Sequence, residues 1–208
     1  MTTTSDILNL PVRDFLAATA AKQPTPGGGS VTALAGALAS SLAAMALRYT
    51  IGKKAYAAYE PELTAALTQF DTASKMLQEL ITEDIAAYDA LSQMLKLPEP
   101  DRLAHPDYTA TVVAAIRAPQ TTGAIAENIL HLASTLTGKT NKFLLSDLGI
   151  AAVFAHATVH ASELNVRINL PLLPNKEEAA ALKQSLHDQS LKADKTYEEI
   201  RSFMLKTL

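Results

Sequence analysis

Gly27-Gly28-Gly29-Ser30-Val31-Thr32-Ala33-Leu34-Ala35-Gly36-Ala37-Leu38-Ala39-Ser40-Ser41-Leu42-Ala43-Ala44-Met45-Ala46-Leu47 contains no charged residue. Such a run is long enough to span a bilayer. Its alanines, glycines, serines and threonines are weakly apolar, and the cations Arg48, Lys53 and Lys54 sit at one end only. The reading that fits is a helix buried on most sides in protein, with no membrane contact. Ser30 is the expected N-cap, the helix is expected to reach about Ile51, and Gly52 ends it. Ahead of it, Gln23-Pro24-Thr25-Pro26-Gly27-Gly28-Gly29 can only be an irregular loop.

Outward from this core helix the punctuation is helical throughout. Asp6 is expected to cap a first helix running through Phe15 to about Ala21. Glu60-Pro61-Glu62 has the signature of a helix start, with acids near the positive end. Apolar residues from Leu63 to Leu95 keep a helical period to about Lys96, where Pro98 and Pro100 stop it. A polar connection, 101–107, leads to a helix over about Tyr108–Leu136, with a kink expected at Pro119. Asn141 or Ser146 starts the next, to about Asn165. Pro171 and Pro174 break the chain, and Asn175-Lys176-Glu177-Glu178 caps a last helix to the C-terminus. Val166–Leu170 alternates, but too briefly for a sheet, and no hairpin signal occurs. The expectation is all-α: a single helical bundle domain, 1–208, of five or six helices.

Composition excludes several functions. Hydrophobic residues make up 48% of the 208 residues and charged residues 19%, a globular balance. A net charge of -3 argues against a nucleic-acid surface. With no cysteine there is no disulfide, zinc-thiolate site or thiol nucleophile. The start of the chain lacks the basic and apolar regions of a signal peptide, so a cytoplasmic location is expected.

Three patterns could carry chemistry. Ala133–Thr140 ends in Gly-Lys-Thr, but a phosphate loop follows a buried strand, and this segment continues a helix; a glycine helix end is the better reading. His156, His160 and Glu163 share one helical face and could ligate a metal, although helical histidines so spaced are more often surface or interface residues. The third pattern pairs the Gly27–Ser30 segment with Glu83-Asp84. Glycines before a helix expose N–H groups at its positive end, and a plain turn would not need three of them. Asp84 lies in an otherwise apolar helix with Tyr88 on its face. There it is either a carboxyl with raised pKa, suited to acid/base work, or a solvated surface acid.

Pro24–Leu38 with Ile51-Gly52-Lys53-Lys54 resembles the opening of the cyclodeaminase/cyclohydrolase family. The resemblance continues in Glu83–Tyr88, Leu95-Lys96-Leu97-Pro98, Ser146–Ala152 and Asn165–Leu170, in order over nearly the whole chain. The family's Gly-Asn ahead of Ser-Asp is Thr140-Asn141 here. The resemblance implies an all-helical homodimer acting on a one-carbon tetrahydrofolate, as cyclodeaminase or methenyltetrahydrofolate cyclohydrolase, with no metal and no cofactor. A helical binding or scaffold protein that kept the fold without the chemistry is the alternative. The family's catalytic aspartate falls on Asp84. Expected substrate contacts are Gly27, Gly28, Gly29, Ser30, Lys53, Lys54, Tyr88, Asn141, Ser146 and Asp147, the lysines and the glycine-rich helix start holding glutamate carboxylates. Asp147 and Asn165 are eighteen residues apart on one face, about 27 Å along a helix, so they cannot share one reacting carbon. Asp147 is assigned the pterin. Asn165 and Asn169 are assigned the helix end, another part of the ligand, or the partner subunit. The smooth face Ala33, Gly36, Ala37, Ser40, Ala44 is expected at or near the dimer interface.

Overall fold

The computed structural model describes residues 4–208; the expected Asp6 cap concerns a side chain outside that description. Among the described residues seven α-helices follow one another: α1 (Val12–Ala20), α2 (Gly28–Arg48), α3 (Glu60–Met94), α4 (Glu99–Ala104), α5 (Tyr108–Thr135), α6 (Leu145–Arg167) and α7 (Lys176–Thr207). No strand occurs among the described residues, and Val166–Leu170 closes α6 and enters a 3-10 turn.

The core is built around α2, which packs on α3, α5 and α6. Its small residues permit this. Ala33, Ala37, Ala39, Ala43 and Ala44 are buried, and Gly36 sits where an added β-carbon would touch Leu77 of α3 and Thr158 of α6 at 3.2 Å. Backbones approach so closely that the buried Ser40 hydroxyl donates to the Phe70 carbonyl of α3 at 2.7 Å. Larger side chains from the neighbours fill the rest, among them Phe70, Leu77, Ile129, Leu130 and Leu148. Thus α2 is long and apolar enough to cross a membrane, yet 61% of its apolar window lies inside the chain's own bundle. The face expected to meet a second subunit is therefore an intrachain contact. The large apolar side chains that α2 turns outward are Val31 and Leu38, with Tyr49 exposed just past its end.

Several local expectations are corrected. The first segment is a 3-10 turn (Thr4–Asn9) and then α1, separated by Pro11, which takes the N-cap position. Helix α2 begins at Gly28 with Gly27 as N-cap, so Ser30 lies inside the first turn and its hydroxyl is free for other work. The 101–107 connection is partly helical, because Pro100 in the first turn and Glu99 and Asp101 at the positive end favour α4. The Gly-Lys-Thr pattern falls at the end of α5: Gly138 has φ +79°, and Lys139 Nζ is paired with Glu62 Oε1.

Pro119 sits inside α5 and has no N–H to give the Ala115 carbonyl one turn back. That carbonyl instead accepts from Asn169 Nδ2 at 3.3 Å. A proline in one helix and an asparagine after another are thereby matched, and they tie the end of α6 to the middle of α5.

Candidate active site

A cavity of about 350 Å³ opens where the start of α2 meets the later part of α3, the middle of α5 and the end of α6. Cavities of this size accept small organic ligands. The polar groups around it include the Gly27–Gly29 backbone, Thr25, Asp84, Tyr88, Ser92, Asn165 and Asn169; Leu91, Leu95 and Ile168 supply apolar wall.

Asp84 is positioned by α3, whose Ile81 and Ile85 anchor it in the core on either side. The carboxylate points at the first turn of α2. Ser30 Oγ donates to Asp84 Oδ2 at 3.0 Å, and the Ser30 backbone N–H faces the same carboxylate. Burial pushes the Asp84 carboxyl above the ordinary carboxylate range; the two Ser30 hydrogen bonds pull the other way without cancelling it. The result is an acid whose proton is held more firmly than in water, beside donors that steady its ionised form.

Three consecutive glycines make room for this. A β-carbon on Gly29 would overlap the Asp84 carboxylate itself. On Gly28 it would stand 3.1 Å from Asn165 Oδ1, and on Gly27 3.2 Å from the Pro24 carbonyl. None of the three has a positive φ; among the described residues only Gly52 and Gly138 do. Close approach, not a left-handed backbone, explains the glycines. Asn165 is fixed by donating Nδ2 to Thr32 Oγ1 at 3.1 Å, and Thr32 Oγ1 in turn donates to the Gly28 carbonyl. Asn169 donates to Ala115 and, at 3.2 Å, to the Asn165 carbonyl.

The structure brings Gly27, Gly28, Gly29, Ser30, Asp84 and Tyr88 together. It places Lys53, Lys54, Asn141, Ser146 and Asp147 at the other end of α2 and at the start of α6. The 21 residues of α2 make that about 30 Å away, and within one chain these five do not line the cavity. Asn141 has structural partners there: its N–H donates to Thr50 Oγ1 at 3.0 Å, its Nδ2 to the Tyr49 carbonyl, and its Oδ1 accepts from Phe143 N. Ser146 and Asp147 sit in the first turn of α6. The distance argument that separated Asp147 from Asn165 holds, but the residues on the cavity side are Asn165 and Asn169. Pro119 signals in the sequence that the Ala115 carbonyl lacks its helical donor, but only the fold shows that Asn169 supplies one. Ser92, Leu91 and Ile168 carried no signal.

Comparison with known proteins agrees with this architecture. Residues 11–188 match the family described as formiminotransferase-cyclodeaminase. A methenyltetrahydrofolate cyclohydrolase from Methylorubrum extorquens is 28% identical over 202 residues, 93% of this chain and 97% of that protein. A formimidoyltransferase-cyclodeaminase from Mus musculus is 29% identical over 172 residues, and the match spans only 31% of that longer protein. Among solved structures, a formiminotetrahydrofolate cyclodeaminase from Thermotoga maritima superposes with a TM-score of 0.86 at 26% identity, covering 95% of this chain and 96% of that one. With a family match over most of its length and the same all-helical fold, the chain belongs to the formiminotransferase-cyclodeaminase family.

Proposed function

We propose that the chain is an enzyme acting on the one-carbon unit between N5 and N10 of a tetrahydrofolate. It opens the methenyl bridge with water, or closes it from a 5-formimino group with loss of ammonia. The observation that carries this reading is the half-buried Asp84 carboxyl, raised in pKa and facing a cavity beside the N–H groups of α2. Both reactions pass through a tetrahedral carbon, and both need one group that takes a proton and gives it back. In cyclohydrolysis Asp84 accepts a proton as water attacks the methenyl carbon and returns one to N5 as the C–N5 bond breaks, and the hydroxyl proton is released to solvent as the formyl C=O forms. In cyclodeamination it accepts the N10 proton as N10 attacks the carbon of the protonated formimino group, and returns it to the NH2 group, which leaves as ammonia. Tyr88 and Asn165 flank the position such a carbon would take, and the positive end of α2 suits a ligand carboxylate. Neither reaction calls for a redox cofactor or a covalent nucleophile.

The proposed working form is a cytoplasmic homodimer. Helix α6 and the residue that caps it carry an exposed apolar stripe: Ile150, Val153, Phe154, Leu164 and Ile168 lie at helical spacing. Together with Val31 and Leu38 of α2, this is the surface for a second copy. Ile168 belongs both to the stripe and to the cavity wall, which couples dimer to site.

Absorbance of methenyltetrahydrofolate tests the reading. Its decay from added methenyl compound marks the cyclohydrolase; its appearance from 5-formiminotetrahydrofolate marks the cyclodeaminase. A purified protein that does neither is the scaffold instead.

A further inference from the structure

On the seam between α6 and α7, outside the cavity, three side chains converge on one point. His156 Nε2 lies 2.7 Å and His160 Nε2 2.8 Å from the same oxygen, Asp194 Oδ1, and the two Nε2 atoms are 3.1 Å apart. As a hydrogen-bonded set this is poorly matched. If both imidazoles carry their proton on Nε2, two donors crowd each other; if one does not, its lone pair faces a carboxylate. A single cation at the centre satisfies all three groups.

The spacings fit such an ion. Ligand atoms about 2.0–2.1 Å from a zinc-sized ion stand about 2.9 Å apart at right angles and about 3.4 Å apart at tetrahedral angles. The observed separations already match right-angled ligands to within about 0.2 Å, and need to open by about 0.3–0.7 Å for tetrahedral ones. The rings are already oriented: His156 stacks on Tyr197 at 4.4 Å with an interplanar angle of 13°, and meets His160 edge-on at 4.6 Å. Asp194 is half-exposed, so an ion has a way in and water can complete its shell. Glu163, the acid expected beside the histidines from sequence, is committed elsewhere, to Arg167 and Ser190.

We propose that His156, His160 and Asp194 form a binding site for one divalent transition cation of the zinc class. Two imidazoles and a carboxylate select such ions over magnesium or calcium. The ion is structural. It clamps α7 to α6 across the 3-10 turn and loop between them, and so steadies the helix whose end carries Asn165 and Asn169.

The test uses the full-length protein, freed of metal by a chelator and titrated with Zn2+ against a chromophoric competitor. One Zn2+ per chain is expected, with a Tm that climbs with Zn2+ concentration and a visible absorption band when Co2+ replaces it. His160→Ala, His160→Gln and Asp194→Ala should each weaken Zn2+ binding at least tenfold and remove the Co2+ band, with far-UV circular dichroism unchanged. His105→Ala and His187→Ala should leave binding intact. No uptake by the wild-type chain, or equal uptake by the Asp194 and His160 variants, overturns the site. None of these readouts depends on folate turnover.

Discussion

The Asp84 carboxylate occupies the volume that a β-carbon on residue 29 would need, so Gly29 and Asp84 are one structural unit contributed by two helices. Glycine at 29 lets the acid reach the first turn of α2, and the acid's position gives the Ser30 hydroxyl a partner. Gly29→Ala should push the carboxylate out of this seat. Turnover should fall about a hundredfold or more, as for loss of a positioned acid/base. Overpacking should cost about 1–3 kcal/mol. Steady-state kinetics beside a thermal melt check it; an alanine variant with normal kcat would detach Gly29 from the mechanism.

Asp84→Asn should keep the fold, since an amide oxygen can still accept from Ser30, and should lose about two orders of magnitude or more in kcat. Its effect on stability has a defined sign. The folded-state pKa of Asp84 is raised, so the native chain holds this proton more tightly than the unfolded chain. The stabilisation is complete below the ordinary aspartate pKa and is lost as pH rises through the raised folded value. Above that raised value the ionised, half-buried acid is a cost that asparagine avoids. Denaturant melts should find the variant at least as stable as wild type at pH 7.

Ser30→Ala removes a hydrogen bond that lowers the Asp84 pKa. The acid limb of kcat/KM should therefore move to higher pH, while the substrate-saturated rate on the plateau changes less. A variant that loses rate equally at every pH would make Ser30 merely a packing residue.

Gly36→Leu should destabilise the folded chain itself by about 1–3 kcal/mol, because its side chain must enter the space held by Leu77 and Thr158. Dimer affinity is not the target of this change, since that face of α2 is already covered by α3 and α6. A melt at several protein concentrations separates the two: the loss should be independent of concentration.

Phe154→Glu, on the exposed stripe of α6, should shift the protein toward monomer in light scattering at micromolar concentration without lowering helix content. Activity should fall with the dimer, because Ile168 on the same stripe forms cavity wall. A fully active monomer would refute the dimer as the working form.

The helices and most of their ends were legible in the sequence, since period, prolines and caps are local properties. Asn175 does cap α7, accepting from the N–H groups of Glu177 and Glu178, and Glu60-Pro61 does open α3. The glycine run and Asp84 stood out because both break the pattern of the helices around them. Which residues meet was not legible. Ser30 reads as a cap, yet Gly27 takes that position and Ser30 bonds an acid 54 residues away. Lys53, Asn141 and Asp147 belong to the same motif string as Gly28, but the rigid length of α2 sets them at the opposite end of the bundle. Glu163 shares a helical face with His156 and His160, yet the acid that reaches them is Asp194, from the next helix. Sequence alone determined the periodicity, the breaks and the chemical types on each helix, because these follow from neighbours three and four residues away. Only tertiary structure decided the partners, because the distance between side chains on different helices depends on how deeply small residues such as Gly29 and Gly36 let the backbones approach.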